Sequence, residues 1–356
     1  MSTSQSRLPA IIFRYAWRLA VILLAIWLIR FTLRSSDADI LSDIRQADWY
    51  LLGLAVVIYG VIQLLAVWRW QLLMDVQGMH LPLHLAFRLT MIGNFFSMFI
   101  PGSVSGDVLK IAYAGRCFPG RNTGIALTVL LDRIIGLAAV FFAAFLATIS
   151  NLDRLRELFT QHPTLGLAII AVNAGCIVCI LAYGLYRCQD YLLALPLLQR
   201  TGAAIMRRLP RLLSGILQRL RSALDMYKQR QAVLGVHALI SVLIHICNGA
   251  CFYTIGKALG ERAMTAREYL LSTQVAVSTG IIPLTPGGIG TRDAVSAAFF
   301  QAFAADPAEV AGSIPVVYSF ILLLWGVIAA GVFICSPALR QLSTTEQRSG
   351  GDALDN

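Results

Sequence analysis

Six charged residues lie within apolar stretches of the sequence, where a charge is costly unless it meets a partner or a ligand. They form three neighbouring couples: Asp107 with Lys110, Asp132 with Arg133, and Arg292 with Asp293. Basic side chains of this kind bind phosphate, and carboxylates orient those bases or receive a cationic group. We therefore expect a binding site for a phosphate-bearing ligand. The alternative is that the six residues pair with one another and only hold helices together.

Proline and glycine interrupt two of these apolar stretches. The first interruption contains Pro101, Gly102 and Gly106, and the second contains Pro283, Thr285, Pro286, Gly287, Gly288 and Gly290. Proline cannot continue a helix and glycine favours a turn. In a membrane, a broken backbone persists only where protein or a water-filled cavity covers it. One broken segment in each half of a chain points to a transporter binding site, where Thr285 and the glycine backbone let a ligand approach closely.

The composition indicates an integral membrane protein. Of 356 residues, 57% are hydrophobic and 13% are charged, whereas a soluble domain carries about 25% charged residues. We expect an all-α polytopic fold with six full transmembrane helices, near residues 14–33, 49–68, 123–149, 164–186, 232–256 and 311–335. The two interrupted segments occupy residues 86–116 and 268–303.

The distribution of basic residues predicts the topology. The net charge is +10, and arginines are concentrated between residues 187 and 231, which places that loop in the cytoplasm by the positive-inside rule. This works only if each interrupted segment enters and leaves on the same side. We therefore predict two re-entrant helical hairpins that enter from opposite sides, in an inverted repeat with cytoplasmic termini. A nucleic-acid partner is not expected, because no basic domain with aromatic platforms is evident.

Residues 1–340 are predicted to form one transmembrane domain, followed by a disordered polar tail at 341–356. Residues 196–230 predict an amphipathic cytoplasmic segment on the leaflet, with a solvated linker as the alternative. Neither a metal nor a cofactor is expected, because the Cys176/Cys179 pair has no second pair to complete a site. Asp37 and Asp39 leave open an enzymatic alternative, a small lipid-phosphate-dependent transferase, although a solvated acidic external loop is the better explanation because no large external domain is present to bind an acceptor. No catalytic residue is otherwise expected.

The charged residues and the interruptions together resemble a known family. Pro101-Gly102 followed by Gly106-Asp107 and Lys110 is similar to a PGxxGDxxR element, and Asp132-Arg133 through Gly136 is similar to an acidic-Arg-x-x-Gly element. Residues 283–293 resemble the signature PxTPGGxGxRE of the lysylphosphatidylglycerol-synthase transmembrane (flippase-like) family. The resemblance covers residues 15–335. Lys110 stands where arginine is usual and loses bidentate phosphate geometry, and Asp293 stands where glutamate is usual.

This resemblance implies the translocating unit alone, without the aminoacyltransferase domain of lipid-lysylating relatives. It implies a protein of the bacterial inner membrane that moves a charged or glycosylated lipid, of phospholipid or polyprenyl-phosphate type, between leaflets. The expected partner is therefore a membrane lipid with an anionic or glycosylated head group. A second alternative is a membrane scaffold that presents lipid to a lipid-modifying enzyme.

Overall fold

The computed structural model describes residues 40–99, 105–193, 226–279, 290–304 and 309–334. Regular structure in these ranges is helical, as predicted. The principal helices are α1 Ile40–Gln46, α2 Trp49–Val76, α3 Leu83–Phe99, α4 Ser105–Cys117, α5 Asn122–Ser150, α6 Leu152–Gln161, α7 Pro163–Leu193, α8 Gln231–Ala258, α9 Ala266–Ser278, α10 Thr291–Phe303 and α11 Glu309–Ile334.

Five helices in the described ranges, α2, α5, α7, α8 and α11, are long and apolar enough to cross a membrane. They correspond to five of the six predicted spans, and the sixth, at 14–33, lies outside the described residues. The predicted end of α2 at residue 68 is wrong, because the helix continues to Val76. It continues because Trp70, Leu73 and Met74 are buried against neighbouring helices.

Four shorter helices flank the predicted interruptions. Helix α3 ends at Phe99 and α4 begins at Ser105, while α9 ends at Ser278 and α10 begins at Thr291. At 1.5 Å per residue they measure about 20–25 Å, less than the hydrocarbon thickness of about 30 Å. The predicted break residues Pro101, Gly102, Pro283 and Pro286 lie outside the described residues. Gly106 is buried in α4, where it faces Gly93 of α3.

The order of long, short, short and long helices occurs twice, as α2–α5 and as α8–α11. The first members of the two sets, α2 and α8, pack against each other along their length. Their contacts pair Ala55 with Cys251 (3.5 Å), Arg69 with Ser241 (3.0 Å) and Leu73 with Tyr227, just before α8 (2.9 Å). Because one residue number rises as its partner's falls, α2 and α8 run antiparallel.

Polar contacts at the helix ends fix two corners of the bundle. Arg121, just before α5, donates to the carbonyls of Gln77 and Gly78 just after α2, at 3.1 and 3.3 Å. At the other end of α5, the Asn151 amide donates to the carbonyl of Arg267 at the start of α9, at 3.0 Å. The pair α3–α4 thus contacts the bundle near the start of α5, and the pair α9–α10 contacts it near the end of α5.

Two other predicted segments fall mainly or wholly outside the described part of the chain. Most of the amphipathic segment 196–230 and all of the tail 341–356 belong to the residues that are not described. Directly after Asp37 and Asp39, for which an acidic external loop is the alternative, lies the short helix α1, whose Asp43 accepts a hydrogen bond from Ser313 of α11.

Candidate functional site

Polar side chains gather at one level of the bundle, between α2, α4, α5 and α8. We call this group the basic cluster, because its cations outnumber its carboxylates. Its members are Arg69, Asp107, Lys110, Asp132, Arg133, His237 and Ser241.

Asp107 and Arg133 form a bidentate ion pair between α4 and α5. Arg133 Nε donates to Asp107 Oδ2 at 2.7 Å, and Nη2 donates to Oδ1 at 3.0 Å. The Arg133 side chain is 54% exposed, whereas that of Asp107 is mostly covered. The guanidinium therefore lies at the surface of the bundle with its orientation fixed, which suits it to first contact with an anionic ligand.

Asp132 of α5 is held from two helices. Arg69 Nη2 of α2 donates to Asp132 Oδ2 at 3.0 Å, and His237 Nε2 of α8 lies 3.1 Å from Asp132 Oδ1. A carboxylate only accepts, so the His237 Nε2 atom carries the proton in this contact. Arg69 also donates to Ser241 at 3.0 Å. This network cross-links three long helices, and it is a structural core with few free acceptors.

Lys110 differs from the other charged members of the basic cluster. It is 7% exposed, and its ammonium lies 3.8 Å from the centroid of the Trp70 ring. Among the described residues it has neither a hydrogen bond nor an ion pair. Trp70 is itself fixed, since its Nε1 donates to Thr128 at 3.1 Å.

The Trp70 ring does not fully compensate the buried ammonium. A lysine at the depth of the membrane centre costs about 2.5–3.5 kcal/mol on insertion scales. A cation–π contact returns about 2 kcal/mol when it is desolvated, and leaves the three N–H donors unused. An anion beside Lys110 would supply the missing acceptors.

A second polar group lies between α10, α11 and α8, and we call it the arginine–tyrosine cluster. Its members are Gly290, Arg292, Asp293, Tyr318, Ser319 and Asn248.

Arg292 and Asp293 are buried and bond to each other and to Ser319. Arg292 Nη2 lies 2.7 Å from Asp293 Oδ1 and 2.6 Å from Ser319 Oγ, which in turn lies 2.7 Å from Asp293 Oδ2. The guanidinium also stacks over the Tyr318 ring at 4.7 Å. The Tyr318 hydroxyl donates to Asn248 Oδ1 at 2.6 Å. The cluster is electrically neutral and joins three helices.

Gly290 allows the helix that carries Arg292 to begin where it does. Its φ of +92° lies in the region that favours glycine. Its N–H donates to Asp293 Oδ2 at 3.2 Å, so Asp293 caps its own helix as well as holding Arg292.

A neutral amide pair lies between the two clusters. Asn94 of α3 donates to Gln63 Oε1 of α2 at 2.8 Å. On α2, Tyr59 packs edge-on against Tyr318 at 5.9 Å, and Arg69 belongs to the basic cluster. Ten residues separate Tyr59 from Arg69, or about 15 Å along a helix. The two clusters therefore lie at different depths, with Gln63 between them.

Comparison with known proteins identifies the family of this chain. A family model described as the lysylphosphatidylglycerol synthase TM region matches residues 15–331. The chain belongs to this family. No curated protein matches the sequence. Membership indicates a multi-pass membrane protein with a lipid-related role.

The residues predicted to form the site of this family member fall into the two clusters wherever the structure describes them. Asp107, Lys110, Asp132 and Arg133 are in the basic cluster, while Gly290, Arg292 and Asp293 are in the arginine–tyrosine cluster. Thr285, Gly287 and Gly288 lie outside the described residues. The alternative of internal pairing holds for four of the six charged residues, which pair as Asp107 with Arg133 and Arg292 with Asp293. Asp132 pairs with Arg69 instead, and Lys110 has no ion-pair partner among the described residues.

Sequence reasoning missed Arg69, His237 and Ser241 in this family member. Arg69 lies one residue beyond the span predicted at 49–68. His237, Ser241 and His245 are spaced four apart on an otherwise apolar helix, which places them on one face. That polar stripe is the signal that would have found them. Within the described ranges no group of three or more potential ligands could hold a metal ion.

Proposed function

We propose that this protein moves a phosphate-bearing lipid between the leaflets of a membrane, with the head group crossing the interior of the bundle and the tails remaining in the bilayer. The observation that carries the proposal is Lys110, a buried ammonium on an aromatic face with no partner among the described residues. A charge left uncompensated at membrane depth marks a ligand site more often than a structural contact. Family membership agrees with a lipid-related role.

The short pairs α3–α4 and α9–α10 are proposed to be re-entrant hairpins. Each helix is too short to span the membrane, at about 20–25 Å. Arg121 follows α4 closely and bonds to Gln77 and Gly78, which precede α3. The start and the finish of the first pair thus lie near one corner, as a hairpin requires.

The second pair has the same arrangement at the opposite end of α5. The start of α9 bonds to Asn151 through the Arg267 carbonyl. Residues 302–304, at the end of α10, line a cleft with Arg154 and Leu158 of α6. The antiparallel packing of α2 on α8 supports an inverted repeat, in which the two hairpins enter from opposite sides.

The two clusters are proposed to be successive positions for the head group. Arg133, half exposed, would receive the phosphate from one leaflet, and Lys110 would hold it inside. The pair Gln63–Asn94 separates this position from Arg292 and its partners. In this scheme Asp107, Asp132 and Asp293 position the cations.

Lipid movement by the purified protein in liposomes tests the proposal. Tail-labelled lipids in the outer leaflet are quenched with dithionite, and the protected fraction is followed over time. We expect protein-dependent exchange of anionic lipids that falls at least tenfold in Lys110→Met. The control is Arg116→Met, which removes a cation of the same helix that lies over Tyr113 at the helix end. Exchange that is equal with and without protein would refute translocation and favour a lipid-presenting scaffold.

A further inference from the structure

The charges of the two clusters do not cancel. The three carboxylates, Asp107, Asp132 and Asp293, each lie within ion-pair distance of an arginine. Arg69, Arg133 and Arg292 are those partners, and Lys110 remains as a fourth cation. In the described part of the two clusters, therefore, one positive charge is left over and no carboxylate is left over.

The two connections between the short helices contain no acid. Residues 100–104, which connect α3 to α4, and residues 280–289, which connect α9 to α10, contain no charged side chain. Residues 1–36 contain arginines but neither aspartate nor glutamate. The connections between the short helices thus cannot supply a carboxylate, either to neutralise Lys110 or to receive a cationic ligand.

From this imbalance we infer the charge of the cargo, an inference that rests on the proposed function: its head group carries a phosphate anion and no amino group. A phosphate would bring negative charge to Lys110, the cation that has no carboxylate partner among the described residues. An amino group would enter a region whose carboxylates already accept hydrogen bonds from arginines. Binding it would add a further cation to a region whose described part already holds one cation more than it holds carboxylates.

The geometry around Lys110 agrees with a phosphate. The Trp70 ring covers one side of the ammonium and offers no acceptor, because its nitrogen is a donor that is already bonded to Thr128. Ammonium N–H groups are thereby left for ligand oxygens. Phosphate oxygens can satisfy them, whereas an amine or a choline cannot.

Two lipid classes share this chemistry: glycerophospholipids such as phosphatidylglycerol, and polyprenyl phosphates with or without a sugar. Both present a phosphate without a cation. The charge balance concerns the head group, which both classes share, and the experiment below distinguishes the two lipid classes.

The test is a head-group panel on the full chain. Native mass spectrometry measures competitive binding of phosphatidylglycerol, undecaprenyl phosphate, phosphatidylethanolamine and lysyl-phosphatidylglycerol, and the liposome assay measures movement of the same four lipids. We expect at least one lipid without an amine to be preferred tenfold or more over both lipids with an amine. Preference for phosphatidylglycerol or for undecaprenyl phosphate then identifies the lipid class that supplies the phosphate. Equal or stronger binding of the amine-bearing lipids would overturn the inference.

Variants of Lys110 separate this inference from the proposed function. Lys110→Arg should keep the preference because it keeps the charge, Lys110→Met should abolish it, and Arg116→Met should leave it intact. If no lipid moves but the preference in binding persists, translocation is refuted and the charge inference stands. If lipids move without regard to the amine, translocation stands and the charge inference is refuted. Circular dichroism and gel filtration confirm that each variant is folded.

Discussion

Gly93 of α3 and Gly106 of α4 are in backbone contact where the two helices cross. A Cβ atom built on Gly106 would overlap the Gly93 carbonyl oxygen and the Ser97 hydroxyl, and one built on Gly93 would lie 3.2 Å from the Gly106 carbonyl oxygen. This close crossing brings Asp107 and Lys110, the next polar residues of α4, into the bundle beside α2 and α5. Gly106 therefore lies inside a helix and permits close helix packing, rather than forming the helix break predicted for it.

Gly106→Ala is expected to separate α3 from α4. The methyl group has no room against a backbone oxygen, so we expect a loss of about 1–3 kcal/mol in the free energy of unfolding, as for other overpacked sites. Denaturant unfolding in detergent measures this, and lipid binding should weaken with it. Gly235→Ala is the matched control, because its Cβ would meet nothing within 4 Å. Equal stability of the two variants would contradict close packing at Gly106.

Removing one partner of the Arg69–Asp132 ion pair should destabilise the protein strongly, whereas replacing both partners with apolar side chains should not. Asp132→Ala leaves Arg69 buried without its carboxylate, and we expect it to cost about 3–5 kcal/mol. The double variant Arg69→Met/Asp132→Leu should recover most of that loss, since well-packed apolar side chains can replace a buried pair. A double-mutant cycle on unfolding free energies measures the coupling. Additive losses would mean that the pair does not act as a unit.

Lys110→Met is expected to stabilise the protein while it abolishes lipid binding. The substitution removes an uncompensated cation and keeps the length of an apolar side chain, so the melting temperature in detergent should rise. Added anionic lipid should raise the melting temperature of the wild type, because a ligand that binds only the folded state stabilises it by about 2.7 kcal/mol at one hundred times Kd. It should not raise that of the variant. A fall in melting temperature on substitution would indicate that Lys110 has a structural partner.

The proposed hairpins predict which residues share a side of the membrane. Single-cysteine variants are labelled in oriented vesicles with an impermeant maleimide. Leu83→Cys and the native Cys117, at the two ends of α3–α4, should react from one side. Ala266→Cys and Ala304→Cys, at the two ends of α9–α10, should react from the other side. Buried Cys251 serves as the unreactive control. Labelling of residues 83 and 117 from opposite sides would mean that the first pair crosses the membrane.

The corner formed by Asp153 and Arg267 should depend on pH. Slight desolvation acts to raise the pKa of Asp153, but the 2.6 Å hydrogen bond from Arg267 outweighs it and holds the pKa below its usual value. A lowered carboxyl pKa gives stability that is present above the unfolded value, about 3.9, and is lost as the pH falls through the folded value. The melting temperature of the wild type should therefore exceed that of Asp153→Asn at pH 7 by a small margin.

That margin should shrink steadily below pH 4, until the two proteins melt together. A constant difference at every pH would show that the ion pair is not its origin.

Much of this fold could be predicted from the sequence, because apolar length and proline position act locally. The spans found as α2, α5, α7, α8 and α11, and the helix ends at Phe99 and Ser278, follow from those two signals. The pairing of charges could not be predicted in the same way. Asp132 has Arg133 beside it in sequence, yet on a helix adjacent residues point in different directions, and its partner Arg69 comes from another helix.

The length of α2 shows the same limit. In the sequence, the apolar run ends at residue 68 because Arg69 follows. In the structure, the helix continues as long as other helices cover its side chains. Arg69 is covered by Asp132, Ser241 and their neighbours, so the helix continues for two more turns. Only the packing of distant helices could reveal that.

The contacts of Arg69 also have a consequence for the order in which the chain is assembled. Its carboxylate partner is 63 residues further along the chain, and its hydroxyl partner is 172 residues further. During synthesis α2 must therefore enter the bilayer with its arginine unpaired, at a cost of about 2.5–3.5 kcal/mol that its leucines and tryptophans must outweigh. The arginine is neutralised only when α5 arrives, and it is enclosed only when α8 docks. The described contacts of Arg69 are therefore complete only after α8, the first helix of the second set, has been inserted.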